Sequence, residues 1–192
     1  MKQTHFALIT GLSLMLAGCA SSPEPKLYFL DQSIAPSQQA LNNRRIGFSE
    51  ITLPAYARNV QITNLSSDNM IREDDDHRWA SPPAEAISVA LSQSLEATTG
   101  SAVVIRPYPR EVEPELQVRV TFNRFLRGAN GAADMQGQYL IVLGEDDPTT
   151  MIKRFSIRIP AEGSGYAGYM KAVSMGLRTL AGYIATDIEA IG

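Results

Sequence analysis

The 192-residue sequence has little of the residue types from which metal and catalytic sites are usually built. It contains one cysteine, Cys19, and two histidines, of which only His77 lies beyond the first few residues. A single cysteine cannot form an internal disulfide, and His77 has no second histidine with which to complete a zinc site. No serine lies in a G-x-S-x-G nucleophile elbow, so the sequence does not support a serine hydrolase of that type.

The sequence also lacks any hydrophobic run long enough to form a stable membrane-spanning helix. The longest apolar run, Phe6–Leu16, is much shorter than the roughly 20 residues that a bilayer core requires. There is no basic excess, because the formal net charge is −3 and the basic residues are scattered. This charge distribution argues against a nucleic-acid-binding surface.

The amino terminus has the pattern of a bacterial lipoprotein signal. Lys2 gives a positive start, Phe6–Leu16 forms the apolar core, and Ala17-Gly18 places small residues directly before Cys19. We therefore predict that residues 1–18 are a signal peptide and that Cys19 carries a covalent lipid at the new amino terminus. Lipidation would also explain a lone cysteine in an exported protein. The alternative is an ordinary secretory signal followed by a chance cysteine.

The residues after Cys19 predict where the domain lies. Neither Ala20 nor Ser21 is an aspartate, which by the sorting rules of Gram-negative lipoproteins favours the outer membrane. Residues 19–26 form a short polar tether, and seven extended residues span only about 25 Å. Residues 27–192 are enough for a single domain with its own core. We expect a periplasmic domain held close to its membrane.

Two segments have the periodicity of amphipathic helices. Ser81 is a plausible N-cap for the first helix, with Pro82 at the first helical position and Gly100 closing its end. The second predicted helix runs from about Ser164 to Ile191 and has a long apolar stripe. The residues of this stripe are Tyr169, Val173, Leu177, Leu180, Ile184, Ile188 and Ile191.

Several shorter segments have the composition or alternation of β-strands. They are residues 27–30, 45–53, 60–63, 102–106, 116–125, 138–143 and 151–159. Gly144–Thr150 is predicted to form a hairpin turn, and Gly128–Gly137 is interpreted as a flexible connection between strands rather than a phosphate loop. Strands with one early helix and one long final helix predict a mixed sheet covered by helices, in an α/β or α+β layered domain.

The sharpest candidate for a chemical site is the stretch NMIREDDDHRWASPP, residues 69–83. Four consecutive polar residues, Asp74, Asp75, Asp76 and His77, point in different directions in a strand or a helix, so they cannot converge on one ion. We interpret this run as a solvated acidic turn before the first helix, with a weak surface cation site as the alternative. Trp79 is expected to pack against the core, although an exposed anchor for a partner is the other interpretation.

No catalytic, cofactor-binding or metal-ligating residue is predicted. The acidic residues Glu145, Asp146 and Asp147 lie in the predicted hairpin turn, although sequence does not rule out a glycosidase pair of carboxylates. Tyr56 and Tyr108 are the aromatic residues considered for an exposed contact with a partner.

Short motifs spread over the chain resemble those of the ABC-type transport auxiliary lipoproteins, the paraquat-inducible protein C family. These motifs are Tyr28-Phe29-Leu30, Ile51-Thr52-Leu53-Pro54-Ala55-Tyr56 with Arg58, Asn69, Arg78-Trp79-Ala80 and the final helical stripe. The family usually has R-W-A-E-P-L where this chain has Ser81 in place of the glutamate and Pro83 in place of the apolar residue. The difference puts in doubt any role for a carboxylate at that position.

The resemblance implies a fold, a partner and an activity. It implies an α/β domain with a mixed, roughly five-stranded sheet flanked by helices, similar to the amino-terminal domain of TolB. It implies a non-enzymatic lipoprotein on the periplasmic face of the outer membrane that docks a mammalian-cell-entry (MCE) domain protein of a PqiB-like system, which carries lipid between membranes. No cofactor other than the lipid on Cys19 is expected. A homo-oligomer is one possible assembly. The alternative function is a periplasmic module that itself binds a lipid or another apolar ligand.

Overall fold

The computed structural model describes residues 24–30, 42–49, 51–143, 149–163 and 165–191. Within these ranges the chain forms eight strands and two α-helices, together with a short 3-10 turn at Ala55–Ala57. The strands are β1 (Lys26–Tyr28), β2 (Asn42–Phe48), β3 (Gln61–Leu65), β4 (Ile71–Trp79), β5 (Ser101–Ile105), β6 (Leu116–Arg127), β7 (Ala133–Leu143) and β8 (Thr149–Ile159). The helices are α1 (Pro83–Thr99) and α2 (Gly165–Ile191).

All eight strands belong to one mixed sheet organised around β6. Along one edge, β6 pairs antiparallel with β7, which pairs antiparallel with β8. The other edge of β6 is shared by two parallel strands: β2 pairs at its start, through Ile46↔Leu116, and β3 at its end, through Asn64↔Arg127. Beyond β2, the next strand of the sheet is β5. Beyond β3, the next strand is β4, and β1 pairs with the outer side of β4. β1 and β8 therefore lie at opposite edges of the sheet.

The two helices cover one face of the sheet, and the core lies between the helices and that face. In β6 the residues Leu116, Val118, Val120 and Phe122 are buried, as their alternation predicts. Helix α2 packs so closely on β7 and β8 that a Cβ added at Gly176 would lie 1.9 Å from the Met135 side chain. The six stripe residues of α2 from Tyr169 to Ile188 are all buried, which confirms the amphipathic prediction.

The opposite face of β6, β7 and β8 carries exposed polar side chains. Its exposed residues include Arg119, Gln136, Gln138, Arg154 and Arg158, together with the apolar Ile152. An antiparallel sheet tolerates this arrangement, with one face on the core and one in solvent.

The predicted fold class, a mixed α/β sheet with helices, is confirmed, although the sheet has eight strands rather than about five. The additional strands include short pieces such as β1. The likeness to the TolB domain stays an expectation.

Three local predictions need correction. Ser81 is not the N-cap of α1: Pro82 occupies that position, makes no side-chain cap hydrogen bond, and is followed by a second proline at Pro83. Gly128–Gly137 is not wholly a connection, because β7 already begins at Ala133. The acidic run is not a turn, because Asp74–His77 lies inside β4. Gly100 does end α1 as predicted, with a left-handed φ of 64°.

Candidate functional site at the β1–β4 edge

The acidic run lies in a pronounced bulge of β4. The pairing of β3 with β4 moves from Gln61↔Arg78 directly to Ile62↔Asp74, so three residues of β4 have no partner on β3. One carboxylate oxygen of Asp74 accepts hydrogen bonds from the backbone N–H groups of Asp76 at 3.0 Å and of His77 at 3.1 Å. Asp74 therefore closes the bulge, and its role is to shape the backbone.

The end of β4 receives β1, the first strand after the predicted tether. The two strands are parallel, with Lys26↔His77, Leu27↔Arg78 and Tyr28↔Trp79 in register. The pairing continues at the following residue, where the N–H of Ala80 donates to the carbonyl oxygen of Tyr28 at 2.9 Å.

A stack of three aromatic rings joins this edge to the start of α2. The His77 ring stacks on both tyrosines, with its centroid 5.6 Å from that of Tyr28 and 4.1 Å from that of Tyr166, and interplanar angles of 28° and 20°. The Tyr28 and Tyr166 centroids are 6.0 Å apart, so the three rings form a triangle. The Tyr28 hydroxyl and His77 Nδ1 share a hydrogen bond of 2.8 Å. Tyr166 comes from the first turn of α2, so the stack brings together three elements that are distant in sequence.

Tyr166 is the centre of a polar network around the stack. Its hydroxyl donates to the second carboxylate oxygen of Asp74 and accepts from Asn64 Nδ2 at 3.1 Å. The Arg127 guanidinium lies 4.8 Å from the centroid of the Tyr166 ring, a cation–π arrangement, and donates to Asn64 Oδ1 at 3.3 Å. We call Tyr28, Asp74, His77 and Tyr166, with Asn64 and Arg127 beside them, the Tyr166 cluster.

The network changes the acidity of two of its members. Burial acts to raise the pKa of Asp74, but hydrogen bonds from Tyr166 and from the backbone of Asp76 and His77 outweigh it, so the pKa lies below its ordinary value. Burial, reinforced by the bond to the Asp74 carboxylate, raises the pKa of Tyr166 to about 12. Both groups thus keep their ordinary charge states near neutral pH, as expected of a structural cluster.

The cluster borders an open polar groove of about 750 Å³. Its lining includes the acidic residues from Glu73 to Asp76 as well as Arg72 and Arg127, so it has no single charge sign. Among the residues that the structure describes, no group of three His, Cys, Asp or Glu side chains could hold a metal ion. Within the acidic run, the Asp74 carboxylate accepts hydrogen bonds from the backbone N–H groups of Asp76 and His77 and from the Tyr166 hydroxyl, whereas Asp75 and Asp76 are exposed.

The remaining sequence-predicted residues are placed as follows. Trp79 is buried, with its ring centroid 6.1 Å from that of Phe125, which confirms the packing interpretation. Tyr56 and Tyr108 are half-buried, and the Tyr56 hydroxyl accepts from the backbone N–H of Phe125 at 3.4 Å, so neither is a free aromatic anchor. Cys19, residues 1–18 and the acidic turn residues 145–147 lie outside the described residues, and the lipidation of Cys19 stays a prediction.

Sequence reasoning missed the other members of the cluster. Tyr166, Asn64 and Arg127 contribute through contacts between residues up to 102 positions apart in the chain, which no local pattern reveals.

A family model described as the ABC-type transport auxiliary lipoprotein component matches residues 28–185. The match begins at the last residue of β1, ends inside α2, and includes α1 and the whole Tyr166 cluster. The chain belongs to this family. It is therefore a transport auxiliary component of the lipoprotein type, and the family is not one of known enzymes.

Two solved structures show the same fold. One, described as an uncharacterized protein, is 19% identical with a TM-score of 0.71, covering 86% of this chain and 99% of the other. The second is a protein from Xanthomonas campestris, 12% identical with a TM-score of 0.64, covering 87% of this chain and 100% of the other. No protein with a curated description matches the sequence. Among the described helices, none is both long and apolar enough to cross a membrane.

Proposed function

We propose that this protein is an outer-membrane-anchored accessory lipoprotein of an MCE-type system that transports lipid between the two membranes of the envelope. Acylated Cys19 would hold it in the inner leaflet of the outer membrane. The folded domain would dock the end of a periplasm-spanning, PqiB-like MCE protein and support envelope integrity. The transport-auxiliary role comes from the family, and the anchor from the lipoprotein signal.

The observation that carries the proposal is how directly the anchor joins the fold. Only residues 20–25 separate Cys19 from the first residue of β1. β1 is in turn fixed to β4 by three paired residues and by the Tyr28–His77–Tyr166 stack. A lipid on Cys19 would therefore hold the domain at a limited height above the membrane, which suits a protein that works by position rather than by catalysis.

The test is recovery of partners from cell envelopes with wild-type protein, Cys19→Ala and the tether control Ser22→Ala. We expect wild type and Ser22→Ala to fractionate with the outer membrane and to co-purify an MCE-domain protein, and Cys19→Ala to lose both properties. If Cys19→Ala stays in the membrane fraction, the lipid anchor is wrong. If wild type recovers no MCE-domain protein, the docking role is wrong.

A second candidate is a module that itself binds a lipid or another apolar ligand. A groove of about 390 Å³ between the start of α1 and the end of β5, lined in part by Ala84, Val89 and Ile105, is near the lower size limit of ligand pockets. Mass spectrometry of gently purified protein tests this candidate. A co-purifying lipid that is lost in Ala84→Trp would support it, and a ligand-free spectrum would contradict it.

A further inference from the structure

The most exposed large apolar side chains near the predicted anchor lie in β1 and directly after it. Phe29 is 77% exposed and Leu27 is 60% exposed. Exposure alternates from Leu27 to Leu30: Leu27 and Phe29 are exposed, whereas Tyr28 contacts the His77 ring and Leu30 is buried, so Leu27 and Phe29 share a side of the extended chain. We call Leu27 and Phe29 the apolar pair.

The residues that flank Phe29 contact the folded domain, which accounts for the exposure of the apolar pair. Tyr28 is held by its hydrogen bond to His77 and by a tilted ring contact with Tyr166, and Leu30 is buried in the core. With the residues on both sides of Phe29 fixed inward, the Phe29 ring is directed outward.

Chain length places the apolar pair near the membrane surface. Eight residues lead from Cys19 to Leu27, so Leu27 can lie at most about 29 Å from a lipid attached to Cys19. The neighbouring charged groups are mixed: Lys26 and Glu24 are exposed, and Arg78 is paired in register with Leu27. Hydrophobic contact is therefore expected to outweigh attraction to anionic lipid.

We propose that Leu27 and Phe29 insert into the interfacial region of the lipid surface to which Cys19 is attached, and so fix the orientation of the domain on that membrane. The inference rests on the proposed function, since it needs the chain to be attached through Cys19. Apolar and aromatic side chains favour the headgroup boundary, where their apolar surface leaves water. Two points of attachment, the lipid and the apolar pair, would restrict the orientation of the domain more than the lipid alone.

The experiment uses Trp fluorescence in the mature chain on vesicles of phosphatidylethanolamine and phosphatidylglycerol that contain brominated phosphatidylcholine. Phe29→Trp places a probe in the apolar pair, and Ile152→Trp is the matched control, because Ile152 is 62% exposed but lies on β8 at the opposite edge of the sheet. The native Trp79 is buried and adds the same background to both variants. Because Cys19 is the only cysteine, a maleimide phospholipid can attach both proteins to vesicles whether or not cells acylate them.

We expect the brominated lipid to quench most of the added fluorescence of Phe29→Trp, and aqueous iodide to lose access to it, with neither change in Ile152→Trp. The inference is overturned if neither probe is quenched on vesicles, or if both are quenched equally. It is also overturned if Phe29→Trp is shielded from iodide without vesicles, since a second copy would then cover the pair. The mass of the natively expressed amino terminus tests the anchor separately, so the two proposals can fail independently.

Discussion

Removing the Tyr166 hydroxyl tests whether the Tyr166 cluster stabilises the β1–β4 edge of the sheet. Tyr166→Phe keeps the ring, and with it the contacts to His77 and Arg127, but deletes the bond to Asp74. Neither former partner is orphaned: Asp74 keeps two backbone N–H donors, and Asn64 still donates to the Ile62 carbonyl oxygen. A hydrogen bond to a charged group contributes about 1.5–3 kcal/mol, and partial exposure of Asp74 reduces this, so we expect a loss of about 1–2 kcal/mol.

The assay is equilibrium urea unfolding of wild type, Tyr166→Phe, Asp74→Asn and the double variant. All four curves are analysed with one common slope of unfolding free energy against urea concentration. A double-mutant cycle isolates the interaction, for which we expect about 1 kcal/mol at neutral pH. Tyr183→Phe is the matched control, because Tyr183 is an exposed tyrosine on the same helix, and its stability should be unchanged within about 0.5 kcal/mol.

The pH dependence follows from the direction of the two pKa shifts. Because the folded-state pKa of Asp74 is lowered, the stability it contributes is present above its unfolded pKa of about 4 and is lost as pH falls through the folded value. Because the pKa of Tyr166 is raised to about 12, its contribution is present below its unfolded pKa of about 10 and is lost as pH rises through about 12. The coupling should thus be constant between about pH 5 and pH 10. A coupling near zero at pH 7, or one that persists unchanged at pH 3, would refute the reasoning.

Two further predictions concern the packing that supports the site. Gly137→Ala would place a Cβ 2.1 Å from the backbone carbonyl oxygen of Thr121, so β6 and β7 must separate. We expect the free energy of unfolding in urea to fall by at least about 3 kcal/mol. The control is Gly182→Ala, which has open space around it and should be neutral or stabilise α2 by up to about 1 kcal/mol. Equal effects of the two changes would contradict this. Leu177→Ala, at a fully buried position of α2, should cost about 3 kcal/mol in the same assay, and a loss below about 1 kcal/mol would show that α2 does not seal the core there.

Regular patterns in the sequence predicted the elements that face the core. β6 alternates between buried and accessible positions, and α2 repeats apolar residues at helical spacing, because each presents one face to the same core. The structure confirms both. The prediction failed at β4, in which Ile71 and Trp79 are the apolar residues of a nine-residue strand. A bulged strand near the sheet edge has no continuous buried face, so it leaves no alternation to detect.

The site was less predictable than the fold, because it depends on contacts between distant residues. The stretch from Asp74 to Trp79 was singled out, and Trp79 was placed correctly, but Asp74 was assigned to a solvated turn. Its partner Tyr166 is 92 residues away, and Tyr28 is 49 residues from His77. Such pairs become visible only when the order of strands in the sheet is known.

If Cys19 carries the proposed lipid, the Tyr166 cluster would explain how so short a strand can hold the domain to its anchor. β1 has three residues, and a strand of that length at a sheet edge would be expected to fray. Its Tyr28 side chain, however, is bonded to His77, and His77 is stacked on Tyr166 at the start of a helix of 27 residues. Force on the tether would thus pass through side chains into α2 and the core, in addition to the backbone pairs of β1. On the proposed attachment through Cys19, the Tyr166 cluster would therefore support the anchor mechanically.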